Sequence, residues 1–205
     1  MTLRKTILYS IVLVSGAVVL SLEILASRIL QPKFGSSVFV WGSLIAVFMA
    51  GLAAGYYLGG HLSDRFTSFI DFGLLLLLSA VLLGGLPVFS TQVCGAIFRA
   101  LHTDSVERTG PLLASLALFF IPTTALGTVS PFAVRLLADD PSRLGRQVGA
   151  LYALSTLGSI VGTLGTTFYL ILWLQMPLAI FLLGVIQALL AFLALAYGLL
   201  GRSAK

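Results

Sequence analysis

Charge is what this sequence lacks: only 9% of its 205 residues are Asp, Glu, Lys or Arg, while 59% are hydrophobic. A soluble domain carries charge on about a quarter of its residues. A mean hydropathy of +1.08 therefore excludes a water-soluble body and requires lipid as solvent. Cysteine is nearly absent too. The single Cys94 excludes an internal disulfide framework, and two histidines without a cysteine cluster exclude a structural zinc site. Seven acidic residues against twelve basic ones leave a net charge of +5. Most of the basic residues flank long apolar runs, so the excess reports membrane topology and no nucleic-acid partner is expected. Paired carboxylates, a serine elbow and a His and Asp array are missing as well. No catalytic constellation, cofactor or metal is expected in this chain.

What is present is apolar length. A bilayer core needs about 20 predominantly apolar residues per helix, and six stretches supply them: 6–30, 35–62, 69–90, 111–136, 147–173 and 176–200. They predict an all-α polytopic protein, one transmembrane domain over 1–205, with the bilayer as its first partner. The Arg4-Lys5 head has the layout of a secretory signal, but the apolar run behind it exceeds the usual 7 to 15 residues, so it is expected to remain as the first span. An outer loop is expected at 91–110. Within it Val93, Ile97 and Leu101 mark one side of a short surface helix, lying as a lid on the bundle. Its polar tip, Thr103, Asp104 and Ser105 with Glu107 and Arg108, is the alternative meeting point for a partner.

Basic residues are retained in excess on the cytoplasmic side. With the N-terminus inside, the inner segments hold eight (Arg4, Lys5, Arg65, Arg135, Arg143, Arg146, Arg202, Lys205) and the outer ones four (Arg28, Lys33, Arg99, Arg108). Both termini are thus expected in the cytoplasm of a cell with a plasma membrane of the bacterial inner-membrane kind. Trp41 and Trp173 fall at span ends, as interface aromatics do.

Several residues carry more than hydrophobicity. Gly51, Gly55 and Gly59 recur every fourth position, a groove that another helix can approach closely, within the chain or in a second copy. The segment Gly60-His61-Leu62-Ser63-Asp64-Arg65 follows. It resembles the loop between helices two and three of major facilitators. Asp64 there can pair with a cation and cap a helix N-terminus, and Arg65 suits cytoplasmic headgroups, a gating or structural loop. His61 reads as an interface residue, with a proton relay as the alternative. Glu23 is a carboxylate in an apolar span, which costs about 2.5 kcal/mol or more at a bilayer centre. It lies five residues from Arg28, off its face, so its partner is expected on another helix, either as a structural pair or as a cation or proton site facing a cavity.

The fourth stretch holds Pro122, Gly127 and Pro131 among the hydroxyls Thr124 and Thr128, so the helix must kink or break. Such a break either lines a substrate cavity or is a kink satisfied by hydroxyls and neighbours. In the fifth, Tyr152, Thr156, Ser159, Thr163 and Thr166 fall within about 40° of one line. Gly158, Gly162 and Gly165 form a separate packing face. The hydroxyl stripe either faces a cavity or bonds its own backbone.

Glu23, Arg28, Pro32, Gly35, Ser37 and Trp41, then Gly51, Gly55, Gly59 and Gly60, resemble the major-facilitator-like membrane domain of spermidine-synthase-like integral membrane proteins. Pro122, Gly127, Pro131 and Arg135, then Gly149-Ala150-Leu151-Tyr152-Ala153 with Thr156, Gly158, Ser159, Gly162 and Thr163, are similar to its second half. The resemblance covers nearly the whole chain and implies half a major-facilitator fold, two three-helix repeats with binding near the midplane. Such proteins commonly carry a following domain similar to aminopropyltransferases, which bind decarboxylated S-adenosylmethionine and a polyamine. Nothing after Leu200 supplies the strand, glycine-rich turn and acidic residue of a nucleotide site. Any aminopropyltransferase activity is therefore expected on a separate soluble partner.

Two functions follow. The first is a small transporter or substrate conduit for a polyamine or other small cation, with Glu23, Thr124, Thr128, Tyr152, Thr156, Ser159 and Thr163 lining one cavity. The second is a membrane anchor or accessory subunit, in which the same motifs serve packing in a homo-oligomer or a larger complex.

Overall fold

The computed structural model describes residues 3–101, 103–137 and 144–203. Among these there is no strand, and six helical stretches are long and apolar enough to cross a bilayer. Helices α1 (Leu3–Phe34), α2 (Val38–Arg65) and α3 (Phe69–Ala100) are the first three spans. The fourth is split into α4 (Thr103–Gly127) and α5 (Val129–Leu137). The fifth runs from α6 (Leu144–Gly165) through a π-helical turn (Thr166–Leu170) into α7 (Ile171–Trp173), and α8 (Met176–Ser203) is the sixth. Alternating crossings put Leu3, Arg65, Leu137 and Leu144 on one side of the bundle, the near side, and Phe34, Ala100 and Trp173 on the far side. Arg143 and Lys205, assigned to the cytoplasmic side on sequence, lie outside the described residues, as do the side chains of Thr103, Asp104, Ser105 and Arg202.

The expected outer loop at 91–110 is instead helical for most of its length. At a rise of about 1.5 Å per residue, a helix the length of α3 spans about 48 Å, well past a hydrocarbon core of about 30 Å. Thr91, Gln92 and Arg99 mark where α3 leaves the lipid, and its backbone hydrogen bonds continue to Ala100. The projecting part is held by packing: Val93, Ile97 and Leu101 rest on the far-side core, and Phe98 meets the Phe34 ring edge-on at 6.3 Å. The surface helix anticipated there is this extension, and α4 begins only two residues after Leu101.

Three helix pairs dominate the packing: α1 with α6, α2 with α4, and α3 with α8. Exchanging the first three spans for the last three turns the first pair into the second and leaves the third in place. That is the pattern of two three-helix repeats of opposite topology. Each pair closes where glycine removes a side chain. A β-carbon on Gly158 would strike the Leu13 carbonyl, and one on Gly162 would lie 2.7 Å from Ala17 Cα. Gly51 faces Thr123, Gly55 faces Gly127 and the Thr124 carbonyl, and Gly59 faces Thr128 and Pro131. Gly73, Gly184 and Gly198 do the same between α3 and α8. Gly165, expected in the α6 seam, meets nothing within 4 Å.

Buried apolar side chains divide into a far-side cluster, including Leu22, Leu44, Phe48, Leu83 and Phe119, and a near-side cluster around Leu8, Ile11, Phe72 and Phe132. Near-side ends are tied by polar contacts. Arg4 donates to the Leu136 carbonyl. Asp64 meets Arg135 at 3.9 Å, but with 76% and 52% of these side chains exposed the pair contributes little. The N-terminus of α3 is capped by Ser68 and Asp71, which satisfy each other's backbone N–H groups at 3.2 Å, so the cap expected of Asp64 is supplied elsewhere.

These crossings predict a contrast between neighbours. Gly55→Leu should destabilise the folded chain by about 3 kcal/mol or more through overpacking, whereas Gly60→Leu, with open space around it, should leave thermal unfolding of the detergent-purified protein within a few degrees of native. Equal midpoints for the two variants would refute the α2·α4 packing.

Candidate functional site

Between the two apolar clusters lies a polar layer at mid-depth. On α1 it falls between Val12 and Val18, on α3 between Leu76 and Leu83, and on α8 between Leu183 and Leu190. The break in the fourth span falls at the same level. Thr128 lies between the two helices there, its N–H reaching only to Ala125 O at 3.3 Å. Pro131, lacking an N–H, has none to give the Gly127 carbonyl.

A cleft of about 160 Å³ opens in this layer where both three-helix halves contribute walls. At roughly 30 Å³ per water it has room for about five waters or one small polar group. Ser15 and Gly16 of α1, Tyr56 of α2, Gly127 and Ser130 at the break, and Tyr152, Ser155, Thr156 and Ser159 of α6 supply its polar lining. Tyr56 and Tyr152 are exposed and flank the opening between α2 and α6, whereas Ser15 is buried at the back.

Behind the back wall runs a chain of hydrogen bonds joining α1, α8 and α3. Ser15 Oγ donates to Gln187 Oε1 at 3.4 Å, Gln187 Nε2 donates to Ser79 Oγ at 3.2 Å, and Ser79 Oγ donates to Leu76 O at 2.7 Å. Ser79 and Gln187 are fully buried. An amide in hydrocarbon survives only where its donors and acceptors are matched, and this one is matched on both ends.

Of the seven cavity candidates read from sequence, Tyr152, Thr156 and Ser159 line the cleft. Thr124 does not; its hydroxyl donates to Phe120 O at 2.8 Å in its own helix. Thr128, buried against Gly59, donates to Ala125 O at 2.7 Å, and Thr163 donates to Ser159 O at 2.9 Å. In these three, the hydroxyl satisfies its own helix and takes no part in the wall. Thr166, fully buried at the start of the π-helical turn, does not line the cleft either. Glu23 is half-buried and lies outside the cleft lining. Among the described residues no ion pair or hydrogen bond takes up its carboxylate, so the expected partner on another helix is not found. Its phase is informative all the same: seven residues beyond Gly16, it lies within about 20° of the same line and about 10 Å farther along α1 toward the far side.

Ser15, Gly16, Tyr56, Ser155 and Gln187 were missed. A helical phase count on α1 would have found the first two, since Val12, Ser15, Gly16, Val19 and Leu20 share the cleft face. Gln187 is a lone amide in an apolar span, as informative as Glu23 and overlooked because it carries no charge. Asp64 and Arg65 lie at the near-side end of α2, away from the cleft, and the packing glycines Gly51, Gly55, Gly59, Gly158 and Gly162 bring its walls together.

No protein-family model, no curated protein and no solved structure matches the chain.

Replacing Gln187 with Leu keeps the volume but orphans the Ser15 hydroxyl. The expected cost is about 1 kcal/mol, within the range for interhelical hydrogen bonds in membranes, read by reversible unfolding in bicelles. An unchanged free energy would show that the amide contributes no net stability.

Proposed function

We propose that this chain is a small transporter or substrate conduit for a polyamine or other small cation, with both termini in the cytoplasm of a plasma membrane of the bacterial inner-membrane kind. The observation that carries this reading is the hydroxyl-lined cleft at mid-depth, built by both three-helix halves. Membrane transporters place substrates at that level, where repeats meet and helices are broken. A polar cleft is costly in hydrocarbon and is retained where it does something. Glu23, on the same face of α1 and about 10 Å farther toward the far side, offers a carboxylate to a cation beyond the cleft. The resemblance to the membrane domain of spermidine-synthase-like proteins supports the same reading and brings with it a separate soluble aminopropyltransferase-like partner.

A second reading, membrane anchor or accessory subunit, draws on the fifth span. Only 17% of its most apolar window is buried, against 39–56% for the others. That leaves one flank of the bundle able to receive a helix from a second copy or a larger complex.

Two experiments separate these readings. In proteoliposomes, Glu23→Gln should cut solute flux at least tenfold while the protein still assembles; loss of assembly, with no flux in the native chain, would favour the anchor. Cysteine accessibility is the second. Cys94 is buried, so a new thiol can be read against a quiet background. Thr156→Cys should react with a membrane-impermeant thiol reagent at least tenfold faster than Val161→Cys, which is 66% exposed on the outer face of α6 and lies in lipid. Equal rates would mean a dry cleft and no conduit.

A further inference from the structure

The directions of the hydrogen bonds around the cleft carry more than its shape. A carbonyl can only accept. The bond to Leu76 O therefore commits the Ser79 proton, Ser79 Oγ then accepts from Gln187 Nε2, and the Gln187 amide is forced to turn Oε1 toward Ser15. Ser15 must donate to it, and what remains on the Ser15 oxygen is lone pair. The same commitment recurs on the opposite wall. Ser159 donates to Gly16 O at 3.1 Å, and Thr156 donates to Tyr152 O at 2.9 Å. Three hydroxyls of the lining thus have their protons bound into the protein, and Gly127, whose carbonyl Pro131 cannot serve, belongs to the same lining.

We infer that the cleft is a binding site for a single monovalent cation held by oxygen acceptors, either an alkali ion or one protonated amino group, and that Gln187 is the positioning residue that sets this polarity. The inference rests on the conduit reading and narrows it. None of the residues lining the cleft is charged, so a carboxylate or phosphate would meet oxygen lone pairs with no basic side chain to offset them. A polyvalent amine would bring more positive charge than the wall neutralises. One positive charge matches hydroxyl and carbonyl oxygens, the ligands hard cations prefer, and half-helix ends and unwound carbonyls hold coupling ions in the same way. The hydroxyls of Ser130 and Ser155 and of the two tyrosines, which also line the cleft, can turn to either role and so can present oxygen to a cation alongside the committed acceptors.

The test uses the full chain in nanodiscs, in N-methylglucamine chloride, titrated by calorimetry with sodium chloride, methylammonium chloride, glycerol and N-methylglucamine acetate. Saturable binding of sodium or methylammonium, with acetate and glycerol at least tenfold weaker, is expected, and which of the two cations binds identifies the source. Ser15→Ala and Ser159→Ala should each weaken that cation about tenfold, the size of one hydrogen bond to a charged group. Gln187→Leu frees the Ser15 proton to point into the cleft, so it should lower the ratio of cation to acetate affinity, which a purely structural role would leave unmoved. Native protein binding acetate or glycerol as tightly as both cations would overturn the inference. If a neutral solute still crossed proteoliposomes, the conduit would survive that result; no binding and no flux of any of these solutes would overturn both.

Discussion

Everything in this bundle depends on backbones approaching closely where glycine leaves room. Lipid tails are as apolar as leucine side chains, so burying one against the other gives little reason for helices to associate. Dispersion contacts and main-chain proximity must do it, and both need a short interhelical distance. The α1·α6, α2·α4 and α3·α8 crossings provide it at Gly158 and Gly162, at Gly55 and Gly59, and at Gly73, Gly184 and Gly198. A methyl group at several of these positions would sit inside another helix's backbone.

Close packing at the seams determines where packing fails. Two apolar clusters fill the halves of the bundle, and between them the chain places Ser15, Ser79, Thr128 and Gln187 together with a helix break. Hydrocarbon supplies no partner for a polar group, so each of these groups is bonded within the protein. The cleft is the part of the layer that side chains do not fill. Its chemical character is set one shell back, by which atoms have already spent their protons.

The cleft wall is also tied to the frame. Ser15 belongs at once to the cleft wall and, through Gln187 and Ser79, to the α3·α8 pair that lies on the exchange axis of the two halves. A ligand that pulls on Ser15 acts on all three helices of that network. Glu23 extends the same face of α1 toward the far side, about 10 Å beyond Gly16.

The residues alone determined the number of crossings, the all-helical class, the break near Gly127 and, Gly165 excepted, the packing glycines of the second and fifth spans, because each follows from local chemistry: apolar length, a missing N–H, a missing side chain. Tyr152, Thr156 and Ser159 were legible in the same way, since helical period puts them on one line. What only the tertiary structure decided was which polar faces meet. Thr124, Thr128 and Thr163 have the same chemistry as Thr156, yet three of these four hydroxyls lie outside the cleft lining. Ser15 and Gln187 stand 172 residues apart, and no pattern within either helix reveals the other. The extent of α3 beyond the lipid was likewise hidden, because hydropathy marks where a chain leaves hydrocarbon, whereas a helix ends where its hydrogen bonds and side-chain contacts end.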